Sequence, residues 1–180
     1  MDNEFINRDI TNVMLEMYKY FPVITMTGPR QSGKTTLLRK VFNQLPYYSL
    51  ENLDIRNFAL NDPVGFLNQH PEGMILDEVQ NTPNLLSYIQ GLVDENPKKR
   101  FVLSGSSQFS VIEKITQSLA GRTGVLELMP LSYNEVQTQA EEKTLDEILM
   151  TGLYPVLYSG KNTPNLFYPS YVKTYLERDV

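Results

Sequence analysis

A short apolar run followed by a glycine-bounded loop is the feature that most constrains how this chain can fold. Residues 23–27 are Val-Ile-Thr-Met-Thr, a β-branched run that follows Pro22 and is typical of a buried parallel strand. The next eight residues are Gly-Pro-Arg-Gln-Ser-Gly-Lys-Thr, and apolar residues then recur at helical spacing to about Asn43. This order of strand, loop and helix predicts an α/β fold with an anion-binding loop at the start of a helix.

The residue types of this loop suit a nucleoside triphosphate and a divalent cation. Gly28 and Gly33 permit positive φ angles and a close approach of the backbone to phosphate. We expect the ammonium group of Lys34 to contact the β- and γ-phosphates, and the hydroxyl of Thr35 to bind Mg²⁺. The predicted nucleotide-binding set is Gly28, Pro29, Arg30, Gln31, Ser32, Gly33, Lys34, Thr35 and Thr36. The alternative, a glycine-rich turn without a ligand, is disfavoured by the flanking strand and helix.

An acidic pair follows a second strongly apolar run, residues 74–76. Asp77 and Glu78 are expected at the carboxyl end of this strand, where ligands collect in parallel sheets. We expect Asp77 to hold the hydrated metal ion and Glu78 to position or deprotonate a water molecule, which predicts hydrolysis. Such a pair on its own is more often part of a solvated loop. The glycine loop earlier in the chain favours the functional interpretation.

Further polar residues are weaker candidates for contact with a phosphate. Residues 104–108 form a polar cluster after another apolar run, and from it we take Ser106 as a candidate catalytic residue. The alternative is a turn with helix-capping serines. Arg122 would supply positive charge in cis or across a subunit interface, and the alternative is a surface arginine after a helix-ending glycine. Gln80 is a further candidate.

Strands and helices alternate along the chain. Besides 23–27, strands are predicted at 47–50, 74–76, 101–104 and 124–128, with helical segments between them. Residues from about 5 to 19 carry apolar side chains at helical spacing and predict an amphipathic helix that packs on the core. The pattern predicts an α/β protein with a mostly parallel five-stranded sheet covered by helices on both faces.

Composition excludes several kinds of site. The chain has no cysteine and a single histidine, His70, so disulfides, thiolate metal sites and paired-histidine sites are excluded. A net charge of -5 disfavours a strongly basic surface, although local patches leave nucleic-acid binding open. No apolar run approaches the roughly 20 residues that span a bilayer. We therefore expect a cytoplasmic protein without a membrane segment.

Five segments together resemble one known family. They are Thr-Gly-Pro-Arg-Gln-Ser-Gly-Lys-Thr-Thr-Leu at 27–37, Leu-Asp-Glu-Val-Gln at 76–80, Leu-Ser-Gly-Ser-Ser at 103–107, Ser-Leu-Ala-Gly-Arg at 118–122 and Pro-Leu-Ser at 130–132. This set resembles the prokaryotic AAA+-superfamily P-loop ATPases that carry a C-terminal domain of unknown function. The resemblance implies a P-loop NTPase sheet of order 5-1-4-3-2, ATP as the nucleotide, and the roles given above to Lys34, Thr35, Asp77 and Glu78. Thr151 departs from the family, which tends to have a glycine before the one at Gly152.

The predicted organisation has three parts. These are an N-terminal helix over 1–20, an ATPase core over 21–137 and a helical segment over 138–180. The last segment reaches Val180 without a helix stop signal, and we expect it to lead toward a C-terminal domain beyond this chain.

The predicted function is Mg²⁺-dependent binding and hydrolysis of ATP that drives or switches this further domain or a partner. Assembly into a homo-oligomer is left open. The alternative is a nucleotide-binding interaction module with little or no hydrolysis. A small-molecule kinase is disfavoured by Glu78, which has no use in a site that excludes water, and a GTPase by the absence of an Asn-Lys-x-Asp segment.

Overall fold

The fold is known from a computed structural model that describes residues 5–105, 117–137, 143–160 and 162–176. The chain divides into two compact units, each considered by itself below. The sheet unit comprises the described residues of 10–28 and 34–128, and the helical unit comprises those of 1–9, 29–33 and 129–180. Residues 29–33 of the predicted phosphate loop thus belong to the helical unit. The predicted domain boundaries after residues 20 and 137 stay a prediction.

Five parallel strands within the described ranges form the centre of the sheet unit. In chain order they are β1 Val23–Thr27, β2 Tyr47–Ser49, β3 Gly73–Asp77, β4 Arg100–Ser104 and β5 Thr123–Glu127. Their spatial order is β2-β3-β4-β1-β5, the same as the order 5-1-4-3-2 that the resemblance implies. The predicted fold class, an α/β protein with a mostly parallel five-stranded sheet, is therefore confirmed.

Helices of the sheet unit precede and connect these strands. They are α1 Ile10–Tyr20, α2 Lys34–Val41, α3 Leu53–Asn61, α4 Pro63–Asn68 and α5 Leu85–Glu95. Local chemistry explains several of their starts. The side chain of Asn52 accepts hydrogen bonds from the first turn of α3, and that of Asp62 accepts one from Gly65 in α4. Pro63 is the first residue of α4, where its missing N–H has no cost.

The apolar runs predicted as strands lie in the core of the sheet unit. β1 and β3 are buried along their whole length, and α5 adds buried side chains to the same core. In the register of the sheet, Leu76 of β3 pairs with Leu103 of β4, and Met26 of β1 pairs with Ser104. Because the strands are parallel, the residues that end β3 and β4 meet at the same edge as Gly28, which directly follows β1. This edge holds the candidate site.

The helix predicted from residue 5 begins only at Ile10, so the prediction is wrong for residues 5–9. These residues belong to the helical unit, where Ile6 packs against a small apolar cluster and the backbone N–H of Asp9 donates to the Glu135 carboxylate. The apolar side chain at residue 6 fits the helical period of α1 but contributes to another core. Tertiary contacts therefore override the local pattern.

The helical unit contains three α-helices in its described residues. They are α6 Tyr133–Gln137, α7 Leu145–Thr151 and α8 Pro164–Tyr171, which continues into a π-helical turn at Val172–Leu176. Ser132 and Glu135 bond reciprocally at the start of α6, and Thr144 and Glu147 form a complete capping box on α7. Among the described helices of the chain, none is long and apolar enough to cross a bilayer.

The turn after α7 shows why the departure at Thr151 is tolerated. Thr151 is the last helical residue, and its hydroxyl donates to the Glu147 carbonyl. Gly152 has φ +79°, and a Cβ there would lie 1.6 Å from the Tyr168 hydroxyl oxygen. The turn therefore needs a glycine at residue 152 but not at residue 151.

Candidate functional site

A buried carboxylate with three hydroxyl partners lies at the carboxyl edge of the sheet. Asp77 ends β3 and is only 5% exposed. Its Oδ2 accepts hydrogen bonds from Thr35 Oγ1 and Tyr47 Oη, both at 2.7 Å. Its Oδ1 accepts a hydrogen bond from Ser104 Oγ at the end of β4. Burying a carboxylate is costly unless its oxygens are satisfied, and these hydroxyls satisfy it from three different elements.

Lys34 and Thr35 come from the first turn of α2, directly after the loop. The Lys34 side chain is buried, and its Nζ donates to the carbonyl oxygen of Gly28 at 2.8 Å. Gly28 has φ +142°, and a Cβ there would lie 2.2 Å from the carbonyl oxygen of Leu128. Only glycine therefore fits between β1 and the backbone after β5. Thr36, also in the predicted set, is exposed in the same turn of α2.

Glu78 leaves the end of β3 in an unusual backbone conformation. Its φ of 59° lies in the left-handed region, which non-glycine residues adopt rarely and which recurs at functional sites. Its carboxylate accepts a hydrogen bond from the side-chain amide of Gln80. Burial raises the pKa of the Glu78 carboxyl above its usual value, and the hydrogen bond from Gln80 offsets part of that rise. A raised pKa is suited to a group that accepts a proton.

The loop segment 29–33 lies in the helical unit and has two left-handed residues. Gln31 has φ 62° and Gly33 has φ 97°, while Ser32 N donates to the Pro29 carbonyl at 3.4 Å. Turns with alternating left- and right-handed residues direct successive backbone N–H groups to one side and make concave anion sites. The positive φ predicted for Gly33 is found here.

Side chains of the helical unit hold this segment through its carbonyl groups. Arg8 Nη1 donates to the Ser32 carbonyl at 2.8 Å, and the Tyr171 hydroxyl donates to the Arg30 carbonyl at 3.3 Å. The Arg30 guanidinium carbon lies 5.5 Å from the centre of the Tyr175 ring. Both hydrogen bonds are accepted by carbonyl oxygens of the loop.

Arg122, one of the predicted site residues, does not lie at this edge. Arg122 precedes β5, and its carbonyl accepts the N–H of Val23 at the amino end of β1, whereas Asp77 ends β3 at the carboxyl edge. Its guanidinium instead forms a two-pronged pair with Asp94, with N–O distances of 2.6 and 2.8 Å. This pairing does not support a contact between Arg122 and a phosphate in cis, and both roles, in cis and across a subunit interface, stay predictions. Ser106 lies outside the described residues.

Three functional candidates were missed in the sequence. Tyr47 was placed on a strand without a role, Ser104 was grouped with a polar cluster in which Ser106 was preferred, and Arg8 was not singled out. The register of β2, β3 and β4 could have identified the first two, because each lies beside the end of β3. No local signal marks Arg8, since its partners lie more than twenty residues away.

The oxygens around Asp77 suit a small divalent cation. Mg²⁺ takes oxygen ligands and is usually held by one or two carboxylates together with substrate phosphates. Thr35 Oγ1 and Asp77 Oδ2 are such oxygens and lie 2.7 Å apart. The buried ammonium of Lys34 supplies the positive charge that an adjacent phosphate requires. The residues present therefore fit a magnesium nucleotide.

Comparison with known proteins gives a family and a fold. The model of a family described as an AAA domain matches residues 20–137. Uncharacterized proteins of Mycobacterium tuberculosis and Mycobacterium bovis are each 33% identical over 163 residues, which is 88% of this chain and 36% of theirs. One from Methanocaldococcus jannaschii is 26% identical over 142 residues, 72% of this chain and 30% of its own. The chain thus spans about a third of the length of these curated relatives.

Two solved structures are similar in fold. A Walker-type ATPase of Pyrococcus abyssi aligns with a TM-score of 0.59 and 13% identity, covering 96% of this chain and 69% of that one. A signal transduction ATPase with numerous domains from Pyrococcus horikoshii, which has a tetratricopeptide repeat sensor, aligns with a TM-score of 0.53 and 18% identity. It covers 96% of this chain and 32% of that one. At these identities the likeness concerns the fold.

Proposed function

This chain belongs to the AAA domain family, and from that membership and the geometry around Asp77 we propose that it binds ATP with Mg²⁺ and hydrolyses it. In this proposal residues 28–36 hold the phosphates through backbone N–H groups and the Lys34 ammonium. Thr35 and Asp77 hold Mg²⁺, which when bound neutralises phosphate charge. Glu78 orients a water molecule and accepts its proton.

The observation that carries the proposal is the hydrogen bond between Thr35 and Asp77. These residues are 42 positions apart, and each is a candidate metal ligand on sequence grounds alone. The fold brings their oxygens to 2.7 Å at the sheet edge where ligands bind in parallel α/β proteins. A carboxylate in an ordinary solvated loop would instead be exposed and would need no hydroxyl partners.

A second candidate function is favoured by the contact between Glu78 and Gln80. The Gln80 amide nitrogen holds the Glu78 carboxylate, while the buried Gln80 Oε1 has no partner among the described residues. A carboxylate held in this way is restrained from orienting water. This contact supports a nucleotide-binding interaction module that hydrolyses ATP slowly and signals by its bound state.

We further propose that turnover, or nucleotide occupancy, drives or switches an appended domain or a partner. The greater length of the curated relatives supports this idea. The prokaryotic subgroup with a C-terminal domain of unknown function, a homo-oligomeric assembly and a cytoplasmic location stay predictions.

The test of nucleotide binding is calorimetric titration of ATP and GTP with and without Mg²⁺, on the wild type and Lys34→Ala. We expect Mg²⁺-dependent binding of ATP in preference to GTP, weakened at least tenfold in Lys34→Ala because a charge-assisted phosphate contact is lost. Equal affinity in the variant would remove the basis of the site assignment.

Substitutions at Glu78 and Gln80 distinguish a domain that hydrolyses ATP from a module that signals by its bound nucleotide. If Glu78 orients the water, Glu78→Gln binds ATP normally but releases phosphate at least a hundredfold more slowly. If Gln80 restrains Glu78, Gln80→Ala turns over faster than the wild type. Negligible turnover in the wild type that is unchanged in Glu78→Gln and rises in Gln80→Ala favours the interaction module.

A further inference from the structure

Arg8 is a buried arginine that donates one of its hydrogen bonds to the phosphate loop and the others to residues after β5. It is 8% exposed and lies in the helical unit. Its Nη1 donates to the Ser32 carbonyl at 2.8 Å, and its Nη2 donates to the carbonyls of Met129 and Pro130 at 2.7 and 3.2 Å. A buried guanidinium is costly unless its donors are used. The Ser32 contact is therefore part of a built arrangement.

Glu135 fixes the orientation of this guanidinium. The carboxylate is 6% exposed, and its Oε1 accepts Arg8 Nε at 3.1 Å and the backbone N–H of Asp9 at 2.8 Å. Its Oε2 accepts the backbone N–H of Ser132 at 2.7 Å. Burial raises the pKa of Glu135. These hydrogen bonds and the Arg8 charge lower the pKa by more than burial raises it, so it lies below the usual value. The carboxylate is thus ionised and held from two segments of backbone.

The contact at Ser32 determines where the next N–H group points. In a planar trans peptide the carbonyl of one residue and the N–H of the next point in opposite directions. Because Arg8 holds the Ser32 carbonyl, the N–H of Gly33 is directed away from the guanidinium. Gly33 has φ +97°, and a Cβ there would lie 3.6 Å from Arg8 Nη1, so the guanidinium packs directly against this residue.

We propose that Arg8, held by Glu135, is a positioning residue that sets the Ser32–Gly33 peptide so that the Gly33 N–H faces a bound phosphate. The inference rests on the proposed function, in which this loop binds the phosphates of ATP. Arg8 itself does not contact the nucleotide in this proposal. The competing interpretation is that Arg8 only joins residues 129 and 130 to the rest of the helical unit and has no influence on the ligand.

The test compares Arg8→Lys with a matched core variant, Ile148→Val. Lysine keeps the positive charge but lacks the planar fork that reaches Glu135 and Ser32 together. Ile148 is buried in the apolar cluster of the helical unit, so its shortening lowers stability without changing the Arg8 contacts. Dissociation constants for Mg·ATP and Mg·ADP are measured by calorimetry under conditions where urea titration shows each protein to be folded.

Arg8→Lys is expected to bind both nucleotides at least tenfold more weakly, equivalent to about 1.4 kcal/mol, and Ile148→Val to bind as the wild type does. Glu135→Gln, a second variant that keeps Arg8, is expected to weaken binding a few-fold, and it serves if Arg8→Lys does not fold. Affinities equal to the wild type in both Arg8→Lys and Glu135→Gln would overturn the positioning role while leaving the proposed function intact. A wild type that binds neither nucleotide would overturn both.

Discussion

Replacing Tyr47 by phenylalanine tests whether the hydroxyl partners of Asp77 prepare it to bind a metal ion. The change removes only the hydroxyl that donates to Asp77 Oδ2 at 2.7 Å. The ring remains, and with it the stacking of the Arg39 guanidinium, whose carbon lies 4.9 Å from the ring centre. Burial, followed by the hydrogen bond to Asp77, raises the pKa of the Tyr47 phenol above its usual value. The hydroxyl is therefore a donor throughout the neutral range.

The expected loss of folding free energy in Tyr47→Phe follows from the hydrogen bonds that Asp77 loses and keeps. A hydrogen bond to a charged group contributes about 1.5–3 kcal/mol to stability. Tyr47 is only half-buried and Asp77 keeps its bonds to Thr35 and Ser104, so we expect a loss near 1.5 kcal/mol. At an m-value of about 2 kcal/mol/M this lowers the urea midpoint by roughly 0.75 M. Loss of a group that orients a metal ligand typically costs about tenfold in metal affinity.

The assay is turnover of ATP as a function of Mg²⁺ concentration, together with urea unfolding of the free protein. The matched control is Tyr48→Phe, one residue further along β2, which removes a hydroxyl bonded to His70 Nε2 at 2.7 Å. Successive strand residues face opposite sides of a sheet, so this bond is remote from Asp77. We expect both variants to lose stability but only Tyr47→Phe to need about tenfold more Mg²⁺. The same Mg²⁺ requirement in both variants would refute the reasoning.

Three further predictions concern single residues. Gly28→Ala places a Cβ 2.2 Å from the Leu128 carbonyl oxygen at a positive φ, so it should lower the free energy of unfolding in urea by about 3 kcal/mol. The control Gly91→Ala lies in open space on α5 and should raise that free energy by about 0.5–1 kcal/mol. The raised pKa of Glu78 means that kcat/KM should fall as pH decreases, with a midpoint above 4.5, the usual pKa of a glutamate carboxyl. An acid limb of the pH profile centred at or below pH 4.5 would contradict this. Because the Glu135 pKa is depressed in the fold, its stabilisation is present above about pH 4.5 and lost as pH falls through the lower value, so Glu135→Gln should flatten that part of the stability profile.

Strands were more predictable from the sequence than helix boundaries. β1 and β3 are buried on both faces, and such strands appear in sequence as uninterrupted apolar runs between breakers. Helix starts depend on competing polar contacts. Thr82 and Pro83 are typical of a helix start, yet a 3₁₀ turn ends there and α5 begins at Leu85, with the Thr82 hydroxyl buried and unbonded within the described residues.

At the candidate site, the residues predicted from local motifs are those whose neighbours in the chain define their place. Lys34 and Thr35 begin the helix after the glycine loop, and Asp77 ends an apolar strand. Tyr47 depends on strand register, and Arg8 depends on contacts between segments far apart in the chain. A single sequence contains neither kind of information.

The three hydroxyls around Asp77 also bear on how little the protein would have to move to hold a cation. A hydroxyl oxygen carries one rotatable hydrogen and two lone pairs, so it changes from donor to acceptor by turning about one bond. When a cation approaches, Thr35 can rotate its hydrogen away and offer a lone pair, while Tyr47 and Ser104 continue to donate to the carboxylate. The heavy atoms keep their positions. On the protein's side, holding a metal ion as proposed would then require rotation about a single C–O bond, a picosecond-to-nanosecond motion, and no rearrangement of the sheet.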